Sequence, residues 1–394
     1  MKLENVSRLK WIGRRSGLMA LAGIVGAAGA GTLVLDRTSA GSARRAVEVL
    51  ESLEATAGDM ERATAREPLA AGEWDLSNLD HERVDFWVHR FTTDGDMREK
   101  FEGFLARSGR YEAMIRESLR ARGMPEDLLY LAMIESGFQP HAYSPAAASG
   151  LWQFIAETGE RYGLRVDGVV DERNDPDQAT RAALDYLEEL HERFGSWYLA
   201  AAAYNTGENR VGRIMREETG SEKGTDGDYY RIWDRLPRET RDYVPLMIAA
   251  ARISKDRGRY GFGHIEPLSP LEYDVVVTDA GFTLETVAEV SGAGLPELKL
   301  LNPHLRKGRL PSNERFALKL PAGTREAFEA NWPKAVAERN AGSAYAEVTH
   351  EVRRGENLTV IARRHNVSIQ DIREANRLRN DRIYAGQVLK IESR

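Results

Sequence analysis

Glu135 is the residue whose position most favours proton chemistry. A mostly apolar stretch precedes it, and Ser136 and Gly137 follow it, so it sits near the end of an expected helix. A carboxyl among apolar side chains, at the negative end of a helix, keeps its proton to higher pH than one in water. A proton still available at neutral pH is what a general acid requires. The plain alternative is a surface glutamate that happens to end a helix. Four downstream segments shift the balance towards a site. They are Ser144-Pro145, Ser149-Gly150-Leu151-Trp152-Gln153-Phe154, Ala203-Tyr204-Asn205-Thr206-Gly207 and Leu236-Pro237-Arg238-Glu239-Thr240-Arg241-Asp242-Tyr243. Each is an island of polar and aromatic groups at the end of an apolar helix. Folded together, they would line a cleft with one acid and several hydrogen-bonding groups, an arrangement suited to sugars.

Composition narrows the chemistry further. The 394-residue chain has no cysteine, which removes disulfides, thiolate metal sites and a cysteine nucleophile. Its eight histidines leave room for a His/carboxylate metal site in principle, but no H-E-x-x-H or other metal-ligand spacing appears. With 55 basic and 61 acidic residues, the formal charge of −6 does not suit a nucleic-acid protein. The length allows two or three domains.

The elements that must position these residues fall into a clear order. Lys2, Arg8, Lys10, Arg14 and Arg15 lie in or beside a cytoplasmic n-region, 1–16, ahead of an uncharged run over 17–35. That run is close to the about 20 residues needed to cross a bilayer. Two alternatives stay open: an uncleaved signal anchor, or an export signal cut near Ala28/Ala30 or Thr38/Ala40. Both put the rest of the chain in a periplasm or cell envelope, and the membrane is a partner only if the segment is kept. Residues 36–80 read as a polar linker or stalk. From 81 to 265 the pattern is all-α. Three short helices are expected before Pro125, the last starting after Gly109, and Pro125 then opens the helix that carries Glu135. Further helices are expected at about 178–194, 197–204, 208–217 and 238–254. After Pro267 two stretches, 272–321 and 347–393, share one strand–helix–helix–strand layout, with Asn302 and Asn376 ending the second helices. A charged, helix-prone connector spans 322–346. The expected fold is multidomain: an all-α domain followed by two small βααβ modules.

The set of motifs resembles the lytic transglycosylase family with the goose-lysozyme-like catalytic domain, and within it the membrane-bound D branch, over roughly residues 81–393. The resemblance is carried by Glu135-Ser136-Gly137-Phe138, the Gly-Leu-x-Gln of 150–153, the Ala-Tyr-Asn-x-Gly of 203–207, Arg-Ser-Gly-Arg-Tyr at 107–111 and Tyr-Gly-Leu-Arg at 162–165. The two C-terminal repeats resemble LysM modules, the second (Val352 to Ala362) more closely than the first, where Asp279-Ala280-Gly281-Phe282 replaces the usual turn. The resemblance implies a lysozyme-like fold that cleaves the MurNAc-β-1,4-GlcNAc bond of peptidoglycan and leaves 1,6-anhydro-MurNAc. Glu135 would act as acid and then base, and the mechanism implied requires no metal or cofactor. Ser144, Gln153, Tyr204 and Asn205 would contact sugar or orient the acid, and Glu239 and Tyr243 would lie at the cleft floor. Ser144 could instead cap the turn before Pro145, and Glu239 could pair with Arg238 or Arg241. Trp152 stands where the wider family often has Met and would reshape sugar contacts. Residues 146–148 depart from the family's Gly-Ala pattern, which bears on the turn there. The LysM-type modules would bind glycan strands, and no oligomer is expected. Two other readings remain. A hydrolytic muramidase would need a second carboxylate, for which Glu157, Glu160 and Asp171 are candidates. A non-catalytic wall-binding protein would need none.

Overall fold

A computed structural model describes residues 72–343, 347–365, 367–378 and 380–392. The expected N-terminal region and signal segment, 1–16 and 17–35, lie outside the described residues, as does the stalk up to residue 71. Among the described residues no helix is long and apolar enough to cross a membrane. The chain divides into two compact units. One runs to Ala288 and includes Ala293–Arg325; the other is Glu289–Gly292 with Glu326–Arg394.

The first unit opens with α1 (Glu82–Thr93) and α2 (Gly95–Ala121). The last two of the three short helices expected before Pro125 are therefore one helix, continuous through Gly109. The glycine does not stop the helix; it makes room. A Cβ at 109 would lie 2.2 Å from the carbonyl oxygen of Leu268 and 2.7 Å from Pro267, so the chain leaving the helical region can press directly on α2. The packed region also begins before residue 81: Leu76 is buried in the core and Trp74 packs against it. Asp75 caps the next element, accepting from Glu126 N at 2.7 Å and Asp127 N at 3.1 Å. These close the single 3-10 turn Glu126–Leu128 that leads into α3 (Leu129–Ser136). Pro125 thus precedes a 3-10 turn instead of the α-helix itself. Apart from Glu135, α3 is buried all round, as a helix without a polar face must be.

Next come α4 (Ala156–Arg161), α5 (Pro176–Phe194), α6 (Trp197–Thr206), α7 (Glu208–Thr219), α8 (Asp226–Arg231) and α9 (Arg238–Lys255). Before Tyr273 the described residues form only isolated bridges and no strand. Helix α6 is central. Its run from Ala200 to Ala203 is completely buried, and such small side chains let α5, α7 and α9 all pack on it. The two ends of α6 and α9 that face the same region carry Tyr204, Asn205, Glu239 and Tyr243.

Each repeat is a strand–helix–helix–strand unit. In the first, β1 (Tyr273–Thr278) pairs antiparallel with β2 (Phe316–Pro321) around α10 (Leu284–Ser291) and α11 (Leu295–Leu301). Connector helix α12 (Arg325–Ser343) follows. In the second, β3 (Glu347–Glu351) pairs with β4 (Val388–Glu392) around α13 (Leu358–His365) and α14 (Ile369–Ala375). The repeated asparagines act alike. Asn302 Nδ2 donates to Leu298 O and Lys319 O, both at 2.8 Å, and its Oδ1 accepts from Lys319 N at 3.0 Å. Asn376 Nδ2 donates to Ile372 O at 2.8 Å and Lys390 O at 2.7 Å, and its Oδ1 accepts from Lys390 N at 2.8 Å. One amide ties the end of the second helix to the closing strand in both modules.

Candidate active site

Helix α3 ends at Gly137, which is left-handed (φ 58°, ψ 35°) and donates its N–H to Met133 O. A side chain at 137 would meet the Phe104 ring at 2.2 Å, so both the backbone and the space demand glycine. The following Phe138 is also left-handed and is fully buried. This tight exit leaves Glu135 partly open to solvent between buried neighbours Ile134 and Ser136. Tyr243 of α9, itself buried, donates its hydroxyl to Glu135 Oε1 at 2.6 Å. Burial pushes the Glu135 carboxyl up to about 8; the Tyr243 bond opposes this, and the charge of Glu239 adds to it. A carboxyl so placed favours its protonated form near neutral pH and accepts one oriented hydrogen bond, from Tyr243.

The remaining α6 and α9 residues form a small network beside it. Thr240 Oγ1 donates to Asn205 Oδ1 at 2.8 Å. Asn205 also bonds Glu239; desolvation raises the Glu239 carboxyl and this bond offsets part of the rise. Glu239 keeps much of its surface exposed. Arg241, offered by sequence as a partner of Glu239, is bonded to Leu236 O and paired with Asp234 at 3.3 Å instead. Tyr204 is buried, and its hydroxyl donates to Trp152 O at 3.0 Å. The nearby Glu135 carboxylate adds to the effect of burial in raising the Tyr204 phenol.

The other two sequence candidates lie in the loop 142–154, where both hold the loop's own backbone. Ser144 Oγ accepts from Ala148 N at 3.0 Å, and the Ser144 backbone exchanges bonds with Ala147 and Ala148. Its turn-capping role is therefore present. Gln153 is buried and left-handed; its Nε2 donates to Ala142 O at 3.0 Å and Gly150 O at 2.9 Å. Ala147 lies at φ 61°, at the departure from the family pattern noted above. The expectation that Trp152 reshapes sugar contacts is corrected. Its ring is completely buried, with the indole N–H donated to Thr180 Oγ1 at 3.0 Å. Size and an available partner in the core account for it.

Of the proposed second carboxylates, Glu157 and Glu160 are exposed on α4. Asp171 is buried and gripped by Arg173 at 2.8 Å. The carboxylate whose charge acts on Glu135 is Glu239. Among the described residues no three His, Asp or Glu side chains converge to hold a metal ion. Sequence reasoning passed over two residues. Thr240 stood inside a quoted motif and was visible as a hydroxyl beside Glu239. Arg173, under the loop, carries no periodic or motif signal.

Family models match three stretches of the chain. A transglycosylase SLT domain matches residues 112–226, a LysM-like domain of lytic transglycosylase MltD matches 272–337, and a LysM domain matches 350–392. Membrane-bound lytic murein transglycosylase D of Escherichia coli strain K12 is 31% identical over 288 residues, 71% of this chain. The chain spans 63% of that relative's length. A putative tributyltin chloride resistance protein of an Alteromonas species is 41% identical over 111 residues, 28% of this chain and 54% of that protein. Among solved structures, an inactive mutant of lytic transglycosylase Slt from Pseudomonas aeruginosa matches 38% of this chain and 24% of its own, with 25% identity and a TM-score of 0.31.

Proposed function

The chain carries a transglycosylase SLT domain followed by an MltD-type LysM-like module and a LysM module, and from that premise we propose that it cleaves peptidoglycan as a lytic transglycosylase. The observation that carries the reading is Glu135 at the end of the buried helix α3, with the Tyr243 hydroxyl bonded to its Oε1 at 2.6 Å and burial pushing its carboxyl up to about 8. Glu135 protonates the oxygen between N-acetylmuramic acid and N-acetylglucosamine. The oxocarbenium-like sugar is helped by its own N-acetyl group. The carboxylate then takes the proton from the sugar's C6 hydroxyl, which closes the 1,6-anhydro ring. A tethered nucleophile avoids the entropy cost of fixing a water. Tyr243 supports the carboxylate formed after the first transfer. Tyr204 and Asn205 shape the cleft beside it, and Ser144 and Gln153 hold the loop that forms its wall. The LysM module binds glycan strands, and the enzyme works in the cell envelope, with the membrane as a partner if the N-terminal segment is retained.

Glu239 supports a second reading, hydrolysis, since its charge reaches Glu135 and it could serve a water. Digestion of purified peptidoglycan by the wild type and Glu135→Gln, with mass analysis of the muropeptides, decides between them. Products lighter by one water than hydrolytic ones, lost in the variant, are expected. Reducing-end products would establish hydrolysis, and sedimentation with the wall without any product would leave only a binding role.

A further inference from the structure

The loop carrying Ser144, Trp152 and Gln153 rests on a support outside the cleft. Arg173 is buried beneath it. Its Nη1 donates to Ala147 O and to Phe154 O, each at 2.9 Å, so one guanidinium pins the loop at its middle and its end. Ser149 Oγ donates to Asn174 Oδ1 at 2.7 Å. Gly150 (φ 89°) runs so near that a Cβ would lie 1.7 Å from the carbonyl oxygen of Arg173. The loop in turn meets the helix of the acid. Ser136 Oγ, next to Glu135, donates to Leu151 O at 2.8 Å, and Tyr204 bonds Trp152 O. Where Arg173 sits therefore decides where the loop sits against Glu135.

Arg173 is oriented by Asp171, and Asp171 is held by the first repeat. The Arg173 Nε and Nη2 grip both Asp171 oxygens at 2.8 Å. Arg306, in the connection between α11 and β2, donates Nη2 to Asp171 Oδ2 at 2.7 Å. The backbones are joined too: Asp171 N donates to His304 O at 2.8 Å, and Arg306 N donates to Val169 O at 2.7 Å. A buried carboxylate–guanidinium pair is favourable only if its remaining lone pairs find donors. The bidentate grip leaves lone pairs over, and Arg306 fills one from the other side. Burial works against a charge on Asp171, but Arg173 and Arg306 overcome it and hold the carboxyl below its ordinary value.

We propose that Arg306 is a positioning residue for the reaction: through Asp171 and Arg173 it sets the 142–154 loop against Glu135, making the 272–321 module a working part of the catalytic unit. The proposal rests on the lytic transglycosylase reading. Without Arg306, Asp171 loses a donor, water reaches the pair, and the Arg173 fork is freer to turn. The loop then loses its fixed register with the acid, which costs rate more than binding.

The test uses the full chain with Arg306→Ala, Arg306→Gln and Arg306→Lys, read by amide hydrogen exchange of 142–154 and by turnover of peptidoglycan. In Arg306→Ala, exchange across the loop should rise about 10-fold and kcat should fall about 10-fold, with KM within about 3-fold, as expected of lost orientation. Lys should restore part of both. Unchanged exchange, or faster exchange with unchanged kcat, would overturn the proposal. A rise in KM with a fall in kcat, together with a lowered melting temperature in all three variants, would reduce Arg306 to a structural role. If the wild type releases no product, the enzymatic reading fails, while the exchange experiment still decides whether Arg306 positions the loop.

Discussion

At the scale of single residues, the site is governed by the proton on Glu135. Its two charged or polar neighbours act in opposite senses. The Tyr243 hydroxyl lowers the Glu135 pKa and the Glu239 charge raises it. If Glu135 is the acid, the alkaline limb of kcat/KM reports its ionisation in the free enzyme. Tyr243→Phe should then move that limb to higher pH, and Glu239→Gln should move it to lower pH. Variants that acted only by loosening the fold would move neither limb, or both the same way. The same proton links to stability. Between its ordinary value of 4.5 and about 8, folded Glu135 holds a proton that the unfolded chain has released. The folded state is therefore favoured at the low end of that window, and its stability falls as pH rises across it. Glu135→Gln removes this slope, so it should gain on the wild type by up to about 4 kcal/mol between pH 5 and pH 8. Urea melts of both proteins at the two pH values check this, and parallel pH dependence would refute it.

At the scale of elements, the chain spends its unusual backbone where the site needs it. Gly137, Phe138, Ala147, Gly150 and Gln153 all adopt positive φ around the end of α3 and the loop it meets. Phe138 and Ala147 both bear a Cβ there without a polar side chain to compensate, and of the two Ala147 is the exposed one. A left-handed alanine costs about 1–2 kcal/mol, and glycine's extra unfolded freedom returns part of that. Ala147→Gly should therefore raise the melting temperature by a few degrees with unchanged cleavage, and a lower melting temperature would show that the methyl is needed for packing. Much of this level was legible. Gly137 as a helix stop followed from its place after an apolar run, and the paired Asn302 and Asn376 announced the repeat. What misled was Gly109, whose role depends on Pro267 and Leu268 lying against it, far off in sequence. A local rule reads glycine as a terminator, whereas here it accommodates a distant backbone. Trp152 was misplaced for the same reason: whether an aromatic faces sugar or core depends on Thr180.

At the scale of the whole molecule, the two repeats have similar folds but different surroundings, and sequence similarity between them hid this. The first repeat places Lys319 between Asp175 and Asp177, with His304 Nδ1 3.0 Å from Asp175 and the Tyr273 hydroxyl donating to Asp177 at 2.6 Å. Burial opposes the charge on Asp175, but Lys319 and His304 overcome it and keep the carboxyl well below its usual range. Asp175 also caps α5, accepting from Asp177 N and Gln178 N. These aspartates belong to the helical domain and their cations to the module, so a boundary drawn near 271 separates charges that need each other. The second repeat closes on its own core of Val352, Leu358, Ile361, Ala362, Ile372, Leu389 and Ile391. Two truncations should therefore behave differently. Ending the chain after Arg325 removes the connector helix and the second repeat and leaves every one of these pairs intact; if the chain acts on peptidoglycan as proposed, cleavage of small soluble glycans should stay within about 2-fold, while sedimentation with intact sacculi weakens because one proposed glycan-binding module is gone. Ending it after Leu271 takes Arg306 from Asp171, which keeps Arg173, and takes Lys319, His304 and Tyr273 from Asp175 and Asp177. Breaking a buried pair by removing one side costs about 3–5 kcal/mol, and marginal stability leaves little room for that. The shorter chain should melt far below the longer one or fail to fold, and recovery should come only near acid pH, where the orphaned carboxylates are protonated. Equal melting temperatures for the two truncations at neutral pH would mean that the charges of the first repeat contribute nothing to holding the helical domain.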